Sequence, residues 1–352
     1  MSVKKSFNAV PFSRTAFLLS FLLPFFLAAP LRAELEPENL RAAADYSASR
    51  RGLSLLVIQH GKVLIESYPN GGSAEAVHKI YSGTKGYWML AALSAAEEGI
   101  FSLDERVADT ISEWKTDAAK SQITIRELLD FSSGIDAENR LHGEGFMDRD
   151  AIALQVPQVA STGRAFIYGP ASLQIFHTLF KRKLARRGDT PTHYLERKVL
   201  CPLGLGPQRY MEDRSGNPIL ATGFKLTARQ WARMGSVLLR DGAPIVGSSS
   251  LDQCWRGSTV NPAFALGFWN NRRARSFGAR EFDIENMLEP KWYRQDWRNT
   301  CVCRDAPADL VASIGSGYQR LFVIPSLGLV VVRQGIDAKF SDGKFLRLLL
   351  GR

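Results

Sequence analysis

The stretch HKIYSGTKGYWMLAALSAAEEG, from His78 to Gly99, places a serine and a lysine three positions apart ahead of an apolar run. The run from Gly86 to Glu98 has helical character and ends at Gly99, a stop residue. Ser82 and Lys85 form an i, i+3 pair, so on a helix they share one face. A solvated lysine would satisfy this spacing, but the GYWML that follows predicts burial instead. A buried ammonium loses protons more readily and can then accept one from a serine hydroxyl. Ser82 stands where the helix begins, and the first backbone N–H groups of a helix lack partners and carry partial positive charge. Such groups stabilise the oxyanion formed when a serine attacks a carbonyl. Ser-x-x-Lys is short enough to occur by chance, so its context decides.

Further along, FIYGPASLQIFHTLF (Phe166 to Phe180) puts Tyr168 at a turn marked by Gly169 and Pro170, just ahead of a second helical run. A phenol beside a lysine can relay a proton between serine and leaving group. Core packing is the commoner fate of a tyrosine.

GLSLLVIQHGKVLIESYP (Gly52 to Pro69) reads as two strands around His60-Gly61. RLFVIPSLGLVVVRQG (Arg320 to Gly335) reads as a second hairpin with its turn at Pro325 to Gly328, and KFSDGKFLRLLLGR as a closing helix. Between them lie helical patches at 86–98, 125–130 (initiated by Thr124), 171–187, 191–200 and 227–240, the last with Thr227 as its N-cap. Hairpins near both ends predict an α+β fold: an antiparallel sheet of N- and C-terminal strands with flanking helices and an inserted, mostly helical region. Ser132-Ser133-Gly134 reads as the end of the 125–130 helix, with Gly134 at its cap.

The chain has 352 residues and is 45% hydrophobic, ample for a large core. Lys4, Lys5 and Arg14 precede AFLLSFLLPFFLAA (Ala16 to Ala29), which reads as a secretory signal spanning 1–33, followed by one domain over 34–352. The run is short for a membrane span and is broken by Pro24. The expected location is therefore exported, periplasmic or secreted. Without residues 1–33 the formal charge falls from +10 to +6, a modest excess that suggests no nucleic-acid partner. Cys201, Cys254, Cys301 and Cys303 permit disulfides in an exported chain. A bridge from Cys254 to Cys301 or Cys303 is the expectation, with free or buried thiols as the alternative. Cys301-Val302-Cys303 lacks a second ligand pair at zinc spacing.

In order, YSGTK, GIFSLDERVADTI, ITIRELLDFSSGID, FIYGPASLQIFHTLF, YLERKVLCPLGL, LTARQWARMGSVLLRDG, ALGFWNN and GSGYQRLFVIPSLGLVVV resemble the serine β-lactamase and penicillin-binding-protein superfamily. The similarity spans about residues 50–350 and is nearest to class C-like esterases and 6-aminohexanoate-dimer hydrolases. The resemblance implies Ser82 as acylated nucleophile, Lys85 as proton acceptor and Tyr168 as the tyrosine of a Tyr-x-Asn element. It also implies that the Ile314–Gly317 stretch stands where the family carries Lys-Thr-Gly, so that Ile314 and Gly315 complete an oxyanion hole with Ser82. Two positions depart from the pattern. Pro170 replaces the asparagine, and no lysine immediately precedes Gly315 or Gly317. Both changes argue against efficient β-lactam or D-alanyl-D-alanine recognition, and leave acyl transfer to water intact. The expected activity is hydrolysis of a small ester or amide, without metal or organic cofactor. The alternatives are an inactive binder of cell-wall peptide and a true β-lactamase or D-Ala-D-Ala peptidase.

None of the five histidines (60, 78, 142, 177, 193) falls in a metal or nucleophile-elbow motif. The aromatic, arginine-rich segment from Trp255 to Trp297 reads as wall packing plus a solvated loop. By the resemblance, its Phe268 and Trp269 would border a substrate pocket.

Overall fold

The computed structural model describes residues 1–3, 34–336 and 339–352. The signal reading falls on residues outside those described. The helices are α1 (Pro37–Ser49), α2 (Thr84–Glu97), α3 (Ile125–Leu129), α4 (Arg149–Gln155), α5 (Pro170–Ala185), α6 (Pro191–Leu195), α7 (Ala228–Leu239), α8 (Ser248–Trp255), α9 (Ile284–Met287) and α10 (Asp342–Leu350). The strands are β1 (Gly52–Gln59), β2 (Lys62–Ser67), β3 (His78–Lys79), β4 (Lys225–Leu226), β5 (Phe264–Ala265), β6 (Phe268–Asn270), β7 (Arg280–Glu281), β8 (Thr300–Cys301), β9 (Val311–Gly315), β10 (Gln319–Ile324) and β11 (Leu329–Gly335). No described helix is long and apolar enough to cross a membrane.

Seven strands form one sheet in the order β2-β1-β11-β10-β9-β6-β5. Within it the predicted N- and C-terminal strands join: β1 pairs antiparallel with β11, Val57 opposite Val331. His60 and Gly61 both have positive φ (49° and 79°), as a two-residue turn between right-twisted strands requires. Strand residues alternate between the two faces. Phe322 stacks on Phe345 of α10. Its neighbour Leu321 lies beneath Gly235 of α7, where a methyl group would come within 3.1 Å of its Cδ1. Helices therefore cover both faces, and β9, β10 and β11 are buried almost throughout.

The predicted helices form with small boundary shifts. Thr227 and Thr124 each make a full capping box, with Gln230 and Glu127 respectively. The 191–200 run is helical throughout, but α6 passes into a π turn over Glu196–Leu200. Gly134 does not cap α3: the helix closes at Asp130, and the left-handed residue after it is Phe131 (φ 57°). Gly134 is glycine for another reason, since a methyl group there would lie 1.8 Å from the Ala160 carbonyl oxygen.

All four cysteines are free thiols, which corrects the expected bridge. Cys254 lies in the last turn of α8, in a buried setting that feels the Asp130 charge. Cys303 lies instead with Glu281 and Asp305, both ion-paired to Arg347 of α10. The two thiols occupy different environments.

Candidate active site

A 3₁₀ turn, Tyr81–Gly83, leads directly into α2 and carries Ser82. Tyr81 has a positive φ of 45°, an uncommon backbone for a bulky residue, and it turns the chain immediately before the serine. Lys85 follows in the first turn of α2 and is 1% exposed. Its Nζ lies 2.8 Å from Ser82 Oγ and 2.8 Å from the Ala221 carbonyl oxygen. Burial lowers the Lys85 ammonium to about 7.

The surroundings explain why the lysine is dry. The two-residue turn between β5 and β6, Leu266-Gly267, presses on α2: a methyl at Gly267 would lie 2.5 Å from Met89 Cγ and 3.4 Å from the Lys85 carbonyl oxygen. Gly86 faces the Phe268 ring in the same way, at 3.1 Å. On the other side, Ser313 Oγ donates to the Gly83 carbonyl oxygen at 3.4 Å. A methyl at Gly315 would sit 2.0 Å from the Ile80 carbonyl oxygen. Glycine at 315 therefore lets the end of β9 close on the turn that carries Ser82.

Tyr168 lies just before α5, whose first residue is Pro170. Its hydroxyl is hydrogen-bonded to Ser82, and Lys85 Nζ stands 4.6 Å from its ring centroid. Burial pushes the phenol well above its ordinary value; the Ser82 hydrogen bond opposes this and the Glu285 charge adds to it. At neutral pH the phenol keeps its proton while the lysine holds its own only weakly.

Two cavities meet at the serine. One, of about 200 Å³, is lined by Ser82, Tyr168, Glu285, Leu288, Gly315 and Ser316 among others, with Ile314 contributing too. The other, of about 480 Å³, includes Ser82, Tyr168, Asn139, His142, Arg209 and Thr222. The structure thus brings together Ser82, Lys85, Tyr168, Ile314 and Gly315. Phe268 and Trp269 line neither cavity; they are 0% and 1% exposed. Trp269 packs behind Tyr168, ring centroids 6.3 Å apart, and Phe264 and Phe131 complete that wall. Both rings are therefore packed into the wall behind the cleft rather than into it. The exposed Arg272, Arg273 and Arg275 also lie off both cavities.

Sequence reasoning did not single out His142, Asn139 or Glu285. They reach the cleft from a 3₁₀ turn (Asn139–His142) and from the four-residue α9, neither of which leaves a periodic signal. Ser316 was within reach, as part of the stretch after β9.

The family model described as Beta-lactamase matches residues 38–333. The chain belongs to the β-lactamase family. Among solved structures it is similar to a class C β-lactamase from Rhodobacter sphaeroides, at 18% identity and TM-score 0.60, covering 88% of this chain and 99% of that one. It is similar to a family VIII carboxylesterase at 15% identity and TM-score 0.59, covering 91% and 98%. It is also similar to a Bacillus anthracis protein assigned as a 6-aminohexanoate-dimer hydrolase, at 15% identity and TM-score 0.59, covering 85% and 77%. These likenesses support the α+β fold of this β-lactamase-family chain. No curated protein matches it in sequence.

Proposed function

We propose that this β-lactamase-family protein is an exported serine hydrolase that cleaves a small ester or amide through an acyl-enzyme on Ser82. The observation that carries the reading is the 2.8 Å contact between Ser82 Oγ and a buried Lys85 whose amine is held near 7. A general base is most effective when its pKa is close to the working pH. Lys85 meets that condition; Tyr168, still protonated, does not and acts as donor instead.

In the first step Ser82 Oγ bonds to the substrate carbonyl carbon as its proton passes to Lys85. The oxyanion is held by backbone N–H groups of Ser82 and of the Ile314–Ser316 segment. The bond to the leaving group breaks, and Tyr168 passes it a proton that Lys85 replenishes. Water then attacks the acyl carbon, gives its proton to Lys85 by way of Tyr168, and Ser82 leaves with one. Every proton is returned, and the products are a carboxylic acid and an alcohol or amine.

The ester reading draws support from the carboxylesterase relative and from the missing lysine beside Gly315. A β-lactam substrate would use the same serine, and a β-lactam labelling gel separates that reading from this one. A p-nitrophenyl ester assay with Ser82→Ala tests the mechanism. The variant should fold and lose turnover, because one hydroxyl at a helix start is worth about 1 kcal/mol of stability. A phosphonate adduct should map to Ser82. An adduct on Ser133 or Ser316, or full turnover by Ser82→Ala, overturns the assignment.

A further inference from the structure

The larger cavity beside Ser82 has a polar wall that the hydrolytic steps do not use. Asn139 and His142 line it from one 3₁₀ turn, together with Thr222 and Gly223. His142 is half-buried and close enough to Lys85 to feel its charge. Its ring has no hydrogen-bond partner among the described residues. Burial first, then the Lys85 and Arg149 charges, holds the imidazole down at about 4, so at neutral pH it is uncharged and offers one donor and one acceptor. The other basic groups of this cavity differ from it. Lys79 and Arg209 are exposed, and Arg209 is paired with Glu144 at 2.8 Å.

The turn is held in place from beneath. Arg149 is 0% exposed. Its Nε donates to the Leu141 carbonyl at 3.1 Å and its Nη2 to the Gly143 carbonyl at 3.0 Å, the residues on either side of His142. Its Nη1 reaches the carbonyls of Met211, another cavity residue, at 3.3 Å and of Asn217 at 3.2 Å. A buried guanidinium spent on four carbonyls fixes the backbone on both sides of the imidazole and the Met211 wall at once. Preorganisation of this kind lets a side chain hydrogen-bond a ligand without first being ordered.

We propose that His142, assisted by Asn139 and held by Arg149, forms a hydrogen-bonding subsite beside Ser82 that selects substrates carrying an amide or hydroxyl group near the scissile bond over plain alkyl esters. The inference rests on the hydrolase reading of Ser82. A neutral imidazole suits an uncharged polar group, since it presents both a donor and an acceptor. A cavity of about 480 Å³ accommodates such a group beyond the reacting carbonyl.

The test compares matched esters. One pair varies the acyl side: p-nitrophenyl N-acetylglycinate against p-nitrophenyl pentanoate. The other varies the leaving side: 4-acetamidophenyl acetate against 4-propylphenyl acetate. For each pair the ratio of kcat/KM values is taken in the wild type and in His142→Phe, so intrinsic reactivity cancels. The wild-type preference for the amide-bearing member of at least one pair should fall about two- to tenfold, the worth of a neutral hydrogen bond. His142→Gln, which keeps a donor and an acceptor, should restore much of it. Ratios that stay the same for both pairs overturn the proposal, as does an equal loss of preference in His142→Gln and His142→Phe. Phosphonate labelling of Ser82 in the same variants reports separately on the hydrolase reading: Ser82 that labels normally while the ratios do not move sinks the subsite alone.

Discussion

At Lys85, stability and chemistry pull in opposite directions. In the unfolded chain its amine titrates near 10.5 and in the folded protein near 7. Between those values the unfolded state binds more protons, so the Lys85 contribution makes the fold more stable as pH rises through this window. At pH 7 and below, the folded state bears the full penalty, about 4–5 kcal/mol from the size of the shift. Lys85→Met keeps the volume and removes the penalty. It also leaves the Ala221 carbonyl without its donor, a loss of about 1–3 kcal/mol. The expected net is a gain of roughly 2 kcal/mol at pH 7 by urea denaturation, with ester turnover abolished. A variant that is both inactive and less stable would contradict a buried, proton-poor lysine. In the active protein the same shift predicts a kcat/KM that climbs with pH around 7 as the free amine forms, and Tyr168→Phe should lower the plateau about a hundred- to ten-thousand-fold.

At the scale of elements, the short hairpin of β5 and β6 is what seals the site. Its turn needs positive φ at both Leu266 (44°) and Gly267 (81°), and only the second is a glycine. The Leu266 N–H donates to Asp130 Oδ1 at 2.9 Å, which ties the turn to the end of α3. Burial raises the Asp130 carboxyl from 3.8 to about 6. Here the folded state binds the extra proton, so this group makes the fold less stable as pH rises from about 4 to about 6. Asp130→Asn keeps an oxygen for Leu266 and removes the titration. It should flatten that part of the stability–pH curve and add about 2–3 kcal/mol at pH 7. An unchanged slope between pH 4 and 6 would show that Asp130 is not the group responsible. This hairpin was also the part of the sheet least legible in the sequence. β1, β2, β10 and β11 are long β-rich runs with turn residues between them, and α2 begins at a motif with its own chemistry. β5 and β6 are two and three residues long, so no alternation can develop, and their place is fixed by the pairing of β6 with β9 far along the chain. The same reason hid His142. Ser82, Lys85 and Tyr168 announce themselves by spacing and by the turn at Gly169-Pro170, whereas His142 sits on a short 3₁₀ turn, held by Arg149 through the carbonyls on either side, that leaves no periodic signal. Phe268 and Trp269 were placed at the pocket by the resemblance alone, and a resemblance in sequence order does not tell which side of a wall a ring occupies.

At the scale of the molecule, the first and last elements of the 34–352 unit close one structure. Arg333 of β11 donates to the Arg50 carbonyl, and the Tyr46 hydroxyl of α1 accepts from Ser341 N ahead of α10. The thiols fit this closed core: denaturation should be needed to alkylate Cys254, Cys301 and Cys303, while exposed Cys201 reacts in the native protein. A buried polar tie is made by Arg320, 0% exposed, whose Nε meets Asp342 Oδ1 at 2.7 Å at the start of α10. Its Nη1 also reaches Glu285 Oε1 at 3.4 Å, and Glu285 lines the smaller cavity. A buried pair adds little over an apolar pair of the same shape, but breaking one partner strands the other charge. Asp342→Ala leaves Arg320 with Glu285 as its remaining carboxylate, at the longer distance. The expected cost is about 3 kcal/mol in denaturant unfolding, toward the low end for a broken buried pair because Glu285 still offsets part of the charge. Asp342→Ala with Glu285→Gln should cost more than the two single changes added together, since each carboxylate is the other's substitute. Simple additivity in that double variant would mean that Arg320 does not couple the C-terminal helix to the wall of the cleft.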